Sequence, residues 1–545
     1  MVQALLERIR AGVIGSDAAI STPYGVMPLV YADYTASGRS LDFVEDYLRQ
    51  IVMPMYANTH SEASLTGAMT NAYRERARAA IKQAINGGAE DCVVFCGAGA
   101  TAAVNRLIDV LGWREAQWLH TDARPIVFVG PYEHHSNELP WREAAVDVER
   151  IPLDSDGTPC LAALQTALER HKDRQIKLGS FSAASNVTGV RTDVAAVTRL
   201  LKSHGALACW DYAAAGPYVG IDMNADAPID AVFISPHKFV GGPGTPGILV
   251  AKRHLFTQSK PAIVGGGTVA WVSPDDHVYV NDIERREEGG TPPILETVRA
   301  GLVFELQQQF GTDNIEAIER DRIQRALVRL GEEPNIDILG PTDVDRLSIV
   351  SMRFRHGDGF LHYGFVVTLL NDLFGIQARG GCSCAGPYGH TLLGIDAKQS
   401  VALSAAVGDG WSSLRPGWVR LNFNWFIDDE EFEYLLEALV MVARDGWRLL
   451  GDYHLDSASG VWRHREAVAI DQRMTSLTEF LEGGEKASDT PARPAFASAL
   501  TRARRLLNES QRPAQSAVVQ TLPPRYAALQ WFITDAEAQP ADLAG

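Results

Sequence analysis

Between about residues 65 and 265, short apolar runs recur along the chain, separated by longer amphipathic stretches. The runs at 92–95, 126–129, 177–181, 206–210, 231–234 and 248–250 are rich in β-favouring residues and predict strands. Segments 70–86 and 192–204 read as helices between them. Strands alternating with helices predict an α/β domain whose mostly parallel sheet is covered on both faces. In such sheets ligands bind beyond the carboxyl ends of the strands. From about residue 296 the pattern changes. A helical stretch through Leu302, Leu306, Ile315 and Ile318 is followed by a strand-like run at 347–354 and a helix near 365–374. A last helix carries Phe432, Leu435, Leu436, Leu439, Val440 and Ala443 at helical spacing. It is opened by Asp428-Asp429-Glu430-Glu431, where acidic side chains suit the positive end of the helix dipole.

This divides the chain into an N-terminal arm (1–30), a large domain (31–295), a smaller α+β domain (296–450) and a C-terminal extension (451–545). Within the extension, 483–497 is rich in Gly, Ser, Pro and Ala and predicts a flexible linker. Trp447, Trp462 and the segment 526–533 are apolar enough to pack on the main body. The basic cluster Arg502-Ala503-Arg504-Arg505 reads as a solvated helix face, or as a patch for an acidic partner.

Composition narrows the class. At 545 residues with 46% hydrophobic and 21% charged residues, usage is ordinary globular, which excludes disorder throughout and fibrous repeats. The net charge of −17 disfavours nucleic acid and anionic membranes as partners. Six cysteines are too few for a disulfide scaffold. The first residues carry Glu7, Arg8 and Arg10 inside their apolar stretch, unlike a signal peptide, and no run of 18 apolar residues occurs. The expectation is a cytoplasmic enzyme.

The chemistry gathers at strand ends. The strand at 231–234 runs into Ser235-Pro236-His237-Lys238 and a glycine-rich loop. A lysine at a strand tip is partly desolvated, which favours the neutral amine needed for a Schiff base; an isolated one is more often a surface lysine. The strand at 206–210 delivers Asp211, which is either a helix cap or the carboxylate that keeps a pyridinium nitrogen protonated. After the strand at 126–129 comes Glu133-His134-His135, where one imidazole has the shape to stack on a planar cofactor, or the pair is simply exposed. Gly97-Ala98-Gly99-Ala100-Thr101 lies between a strand and a helix, where backbone N–H groups make a phosphate site. Four weak signals at successive strand ends reinforce one another.

These motifs, with Asp33-Tyr34-Thr35-Ala36, Ser185-Asn186-Val187-Thr188-Gly189, Glu288-Gly289-Gly290-Thr291 and Arg379 with Cys384, resemble the class V, fold-type I pyridoxal-phosphate enzymes. The likeness is strongest to the cysteine desulfurase and selenocysteine lyase branch and covers roughly residues 28–450. It implies a seven-stranded, mostly parallel sheet with a smaller C-terminal domain. It also implies pyridoxal 5′-phosphate as cofactor, with Lys238 as Schiff-base lysine and proton shuttle. Asp211 would pair with the pyridine nitrogen, and His134 would stack on the ring. Asn186 would sit beside the ring near the substrate carboxylate or the phenolic oxygen. Ala100, Thr101, Ser235 and His237 would hold the phosphate, joined by Thr291 of the partner subunit, so a homodimer is implied. Arg379 would bind the α-carboxylate of an amino-acid substrate, and Asn58 or His60 would touch that substrate. Two positions depart from the pattern: Ala214 stands where a glutamine is usual, and Ala100 where a threonine is usual.

Cys384 lies five residues after Arg379, where the branch carries its sulfur-accepting cysteine. Its thiolate would take sulfur from a cysteine substrate, leaving alanine and a persulfide. His390 and the backbone amides of the loop would favour the thiolate, and a flexible glycine loop would swing the sulfur to an acceptor protein. Cys382 and Cys384 could instead be half of a metal site, a short-loop disulfide, or small residues packing a tight turn; no metal is assigned. The alternative function is another class V reaction (aminotransferase, epimerase, or C–S β- or γ-lyase) with Cys384 outside the chemistry.

Overall fold

The computed structural model describes residues 2–59, 61–115, 124–467, 474–482, 491–509 and 517–534. His60 and the 483–490 part of the expected linker lie outside them. Two compact units are formed, each from several pieces of chain.

The first unit comprises Met1–Ile14, Tyr34–Arg320 and Asp343–Leu347. Its main sheet has seven strands, β1 (Asp91–Cys96), β2 (Ile126–Val129), β3 (Asp147–Arg150), β4 (Lys177–Ser182), β5 (Leu207–Asp211), β6 (Ala231–Ile234) and β7 (Gly247–Lys252). They lie in the order β1-β7-β6-β5-β4-β2-β3. The pairs from β6 to β3 are parallel, and β7 runs antiparallel to both its neighbours. β1, β2, β4 and β6 are buried at every residue, the continuous apolar reading of a sheet covered on both faces. The expected α/β, mostly parallel seven-stranded sheet is therefore the one observed. β3 escapes the sequence pattern because Asp-Val-Glu-Arg is a polar, half-exposed edge strand.

Helices α1 (Leu65–Ala84), α2 (Gly99–Val110) and α3 (Val194–Ser203) cover the sheet. Ser64 caps α1, accepting the Gly67 N–H at 3.2 Å, so the helix starts earlier than its apolar spacing suggests. The helical stretch after residue 296 is two helices, α4 (Ile294–Phe310) and α5 (Thr312–Gly331). Gly311 separates them at φ 91°, a conformation that ends a helix and that side-chain-bearing residues avoid.

The outer edge of the sheet is closed by side chains. Val93 N–H donates to Glu284 Oε1 and Phe95 N–H to Glu288 Oε1, each at 2.8 Å. Arg78 of α1 donates to the Val93 carbonyl and to Glu288, and Arg74 donates to Glu288 at 2.5 Å. This ion cluster fastens the segment leading to Thr291.

The second unit comprises Gly15–Asp33, Asp321–Thr342 and the chain from Ser348 onward. Strands β8 (Ile336–Ile338), β9 (Ile349–His356), β10 (Arg379–Gly381) and β11 (Trp418–Asn422) lie in the order β8-β9-β11-β10, and Gly359–Leu361 pairs with β9. Helices α6 (Tyr363–Phe374), α7 (Gly386–Leu393), α8 (Ala397–Gly408) and α9 (Asp429–Asp445) complete the α+β layer. The Asp428 side chain caps α9 by accepting the Glu431 N–H at 2.8 Å.

Described residues after 450 belong to the same core. Tyr453, Leu455, Trp462, Phe496, Ala499, Leu507, Tyr526 and Phe532 are buried in one cluster with residues of α6 and α9. Helix α10 (Phe496–Glu509) begins within the stretch expected to be linker. The basic cluster on α10 is engaged within the chain. Arg504 pairs with Glu437 at 2.7 Å, Arg502 donates to the Val26 carbonyl at 3.1 Å, and Ala503 is buried. No helix among the described residues is long and apolar enough to cross a membrane.

Candidate active site

In the first unit, the predicted residues meet at the carboxyl ends of the central strands. β6 ends at Ile234, and a single 3₁₀ turn, Pro236–Lys238, places Lys238 just beyond the tip. β5 ends in Asp211, which is buried and accepts the Ala213 N–H at 2.7 Å. Burial raises the Asp211 pKa, and the charge of Lys238 opposes that rise. A carboxylate in so dry a place is suited to a cationic partner.

Beside them, α2 follows β1 after two residues, and the first amides of a helix have no partner one turn back within it. Ala100 N–H donates to Ser235 Oγ at 2.8 Å, joining the helix start to the β6 end. Gly99 sits at φ 54°, and a Cβ there would fall 2.9 Å from Ser235 Oγ and 3.6 Å from His237 Nε2. The three groups thus surround a small hollow that a side chain would fill. Thr101 Oγ1 and Ser136 Oγ are 2.6 Å apart at its exposed side. Burial, with the Lys238 charge as a smaller cause, pushes His237 down to about 4, so a neutral imidazole faces the hollow near pH 7. Backbone amides, three hydroxyls and an imidazole are the donor set of a phosphate site. With Asp211 and Lys238 adjacent, these residues fit pyridoxal phosphate.

His134 caps a short turn (His135–Asn137), its Nδ1 accepting the Ser136 N–H at 3.1 Å, which leaves the ring proton on Nε2 when the imidazole is neutral. The segment is pinned by Glu133, whose role no local sequence pattern signals. Its buried carboxyl accepts from Ser182 N (2.8 Å), Ser182 Oγ (2.6 Å) and Asn137 Nδ2 (2.5 Å). Ser182 is the register partner of Asp211. Burial, reinforced slightly by the Asp211 charge, pushes Glu133 up to about 8 against three hydrogen bonds that lower it. Asn186 is buried in a loop that Ser185 ties, its Oγ accepting the Val187 and Thr188 N–H groups at 3.1 Å each. Ala214 is buried and brings no polar group to that neighbourhood. Asn58 is exposed and its Oδ1 accepts the Thr59 N–H at 2.8 Å. Thr291 is exposed on its loop.

In the second unit, Arg379 opens edge strand β10, directly opposite Arg420 of β11. Two like charges so placed repel. Asp33 answers both, 2.9 Å from Arg420 and 3.6 Å from the half-exposed Arg379. Arg420, buried and absent from the sequence reading, thereby positions the carboxylate that steadies Arg379. Only residues 382–385 separate β10 from α7, and they form a turn closed by Ala385 N–H donating to the Cys382 carbonyl at 3.2 Å. The loop expected to swing is thus four residues long and tied by that hydrogen bond. His390 is also turned away: Nδ1 meets the Gly386 carbonyl at 2.8 Å and Nε2 meets Ser400 Oγ at 2.9 Å. Cys382 and Cys384 are both free thiols and half-buried.

The family model for aminotransferase class V matches residues 30–432, about three quarters of the chain. The chain belongs to the class V aminotransferase family. A probable cysteine desulfurase of Streptomyces coelicolor is 29% identical over 363 residues, covering 66% of this chain and 84% of that protein. The cysteine desulfurase of Escherichia coli K12 is 28% identical over 367 residues, covering 66% and 85%. Among solved structures, the apo cysteine desulfurase of Thermococcus onnurineus NA1 superimposes with a TM-score of 0.66 at 23% identity, covering 80% of this chain and 98% of that one. The E. coli cysteine desulfurase CsdA in an S-sulfonic acid form gives 0.62 at 21% identity, covering 80% and 97%. The family match stops at residue 432, so Tyr453, Leu455, Trp462, Phe496, Ala499, Leu507, Tyr526 and Phe532 of the second core lie beyond it.

Proposed function

We propose that this class V enzyme uses pyridoxal 5′-phosphate to convert cysteine, or a close relative, to alanine, with the sulfur taken as a persulfide on Cys384. The observation that carries the reading is the convergence of a buried carboxylate, a strand-tip lysine and an anion cradle at one end of the sheet. The names of the relatives supply the substrate class. Pyridoxal phosphate, when bound, supplies an electron sink for bonds broken at the substrate. Asp211 would hold the proton of its ring nitrogen, His134 would cover the ring, and Asn186 would lie beside it. The Ala100 and Thr101 amides, Ser235 and His237 would hold the phosphate, with Thr291 of the partner subunit in a cytoplasmic homodimer. Lys238 would hold the cofactor covalently and then remove and return the proton at the substrate Cα. Arg379 would bind the α-carboxylate through its planar fork, with Asn58 or His60 as a further substrate contact. The Cys384 thiolate would attack the substrate Sγ. An S–S bond forms, the Cβ–Sγ bond breaks, and the carbon gains a proton to become the methyl group of alanine.

A second reading, C–S elimination without Cys384, is favoured by Ala214, which leaves no polar side chain at a position where the desulfurases have one. The test is purified enzyme with L-cysteine, scored for alanine, pyruvate and sulfide. Alanine with sulfide, lost in Cys384→Ala, supports the first reading. Pyruvate undiminished in that variant supports the second and overturns the first.

A further inference from the structure

The proposed reaction uses one thiol of a two-thiol turn. Cys382 and Cys384 are the first and third residues of the same four-residue turn, and Ser383 and Cys384 both have positive φ, 52° and 55°. Turns with two such central residues favour glycine and asparagine. Side-chain-bearing residues are strained there, and the strain persists where the surroundings over-determine it. The surroundings do: β10 is bonded to β11 on one side, and α7, with Pro387 in its first turn, begins on the other. The turn is therefore flanked by regular structure at both ends. A nucleophile in the same turn is at hand. Residues two apart in a tight turn have Cα atoms about 5.5 Å apart, inside the span of roughly 4.4–6.8 Å that a disulfide bridges. The other nearby candidate, the His390 imidazole, is committed to Gly386 and Ser400.

We propose that Cys382 is the resolving thiol of this enzyme. Its thiolate attacks the Cys384 sulfur of the persulfide, an S–S bond forms between the two cysteines, and the outer sulfur leaves as sulfide. The persulfide on Cys384 and the thiol of Cys382 thus give the Cys382–Cys384 disulfide and one hydrogen sulfide. The two electrons that reduce the outer sulfur come from the two thiols, and an external dithiol restores them for the next turnover. The inference rests on Cys384 being the sulfur acceptor.

The test is a single turnover of pre-reduced holoenzyme with roughly one equivalent of L-cysteine, under nitrogen and without reductant. Wild type is expected to yield about one alanine and one sulfide per site, its mass falling by about 2 Da. Cys382→Ser is expected to yield the alanine but almost no sulfide, its mass rising by about 32 Da, with sulfide released once dithiothreitol is added. Alanine formation shows that the variant is folded. A wild type that retains the persulfide mass, or a Cys382→Ser variant that frees sulfide as wild type does, overturns the proposal. Cys384→Ser separates the two claims. If it still produces alanine and sulfide, the acceptor role falls; if it does not, the wild-type and Cys382→Ser masses bear on Cys382 alone.

Discussion

The cofactor cradle and the cysteine turn are built on opposite principles. The cradle hangs from the ends of buried parallel strands, and its groups are displaced from their ordinary ionisation by burial: Asp211 and Glu133 upward, His237 downward. The cysteine turn follows an edge strand, is half-exposed, and carries its tension in the backbone. What steadies it lies behind β10. The Tyr363 ring lies against that strand, where a Cβ on Gly380 would come within 2.8 Å of Tyr363 Cδ2. Trp531 stacks on Tyr363 at 5.9 Å and on His362 at 5.3 Å, and its indole N–H donates to the Leu414 carbonyl at 3.3 Å. Asp409, at the end of α8, is gripped by Arg525 (2.8 Å) and Tyr526 (2.5 Å). The sheet interior holds one half of the proposed chemistry. A C-terminal segment beyond the family match backs the other half.

The sharpest way to separate the two is to remove Lys238. Lys238→Ala is expected to lower alanine formation about 10³–10⁴-fold, while iodoacetamide labels Cys382 and Cys384 at the wild-type rate. A fall in labelling of similar size would break the distinction. Arg379→Ala is expected to cost about 100-fold in kcat/KM, carried mainly by KM, since charge-assisted bonds to a carboxylate contribute roughly 1.5–3 kcal/mol each. An effect carried by kcat alone would contradict a carboxylate-binding role.

Phe532→Ala opens the C-terminal packing, where such a deletion typically costs about 3–5 kcal/mol. A lower Tm and several-fold faster labelling of the two cysteines are expected, with the cofactor absorbance unchanged. Trp531→Ala should do the same to a lesser degree, and unchanged labelling in both would show that the turn stands without the segment. The smallest effect concerns Glu133. A carboxyl raised from 4.5 to about 8 contributes stability that is present below its unfolded pKa and lost as pH rises through the folded one. Glu133→Gln should therefore flatten the decline of Tm between about pH 5 and 8. A decline as steep as that of wild type would mean another group is responsible.

Much of the cradle was legible because it obeys local rules. Buried strands read as apolar runs, and the residue after each run is where function sits, which brought out Asp211, Lys238 and the Gly99 turn together. Glu133 and Arg420 were not legible as participants, because their roles come from partners far away in sequence: Ser182 for one, Asp33 for the other. His390 misled for the same reason. Proximity in sequence suggested a role beside Cys384, whereas the helix that carries it points its ring at Ser400. The C-terminal packing was visible only as scattered aromatic residues, since Trp462, Phe496 and Phe532 follow no common period and fill gaps left by α6 and α9. The Gly-, Ser- and Pro-rich composition of 483–497 hid the start of α10, which its buried face (Phe496, Ala499, Ala503, Leu507) holds in place.

The closed edge at β1 has a consequence for the protein among its neighbours. An uncovered edge strand is a template on which another chain can add a strand, a ready route to β-aggregation. Here the outward amides of Val93 and Phe95 are spoken for by carboxylates, and an arginine occupies the Val93 carbonyl. The same clasp that fastens the Thr291 segment leaves a passing strand nothing to bond. At this edge the sheet can thus be crowded against others of its kind without pairing.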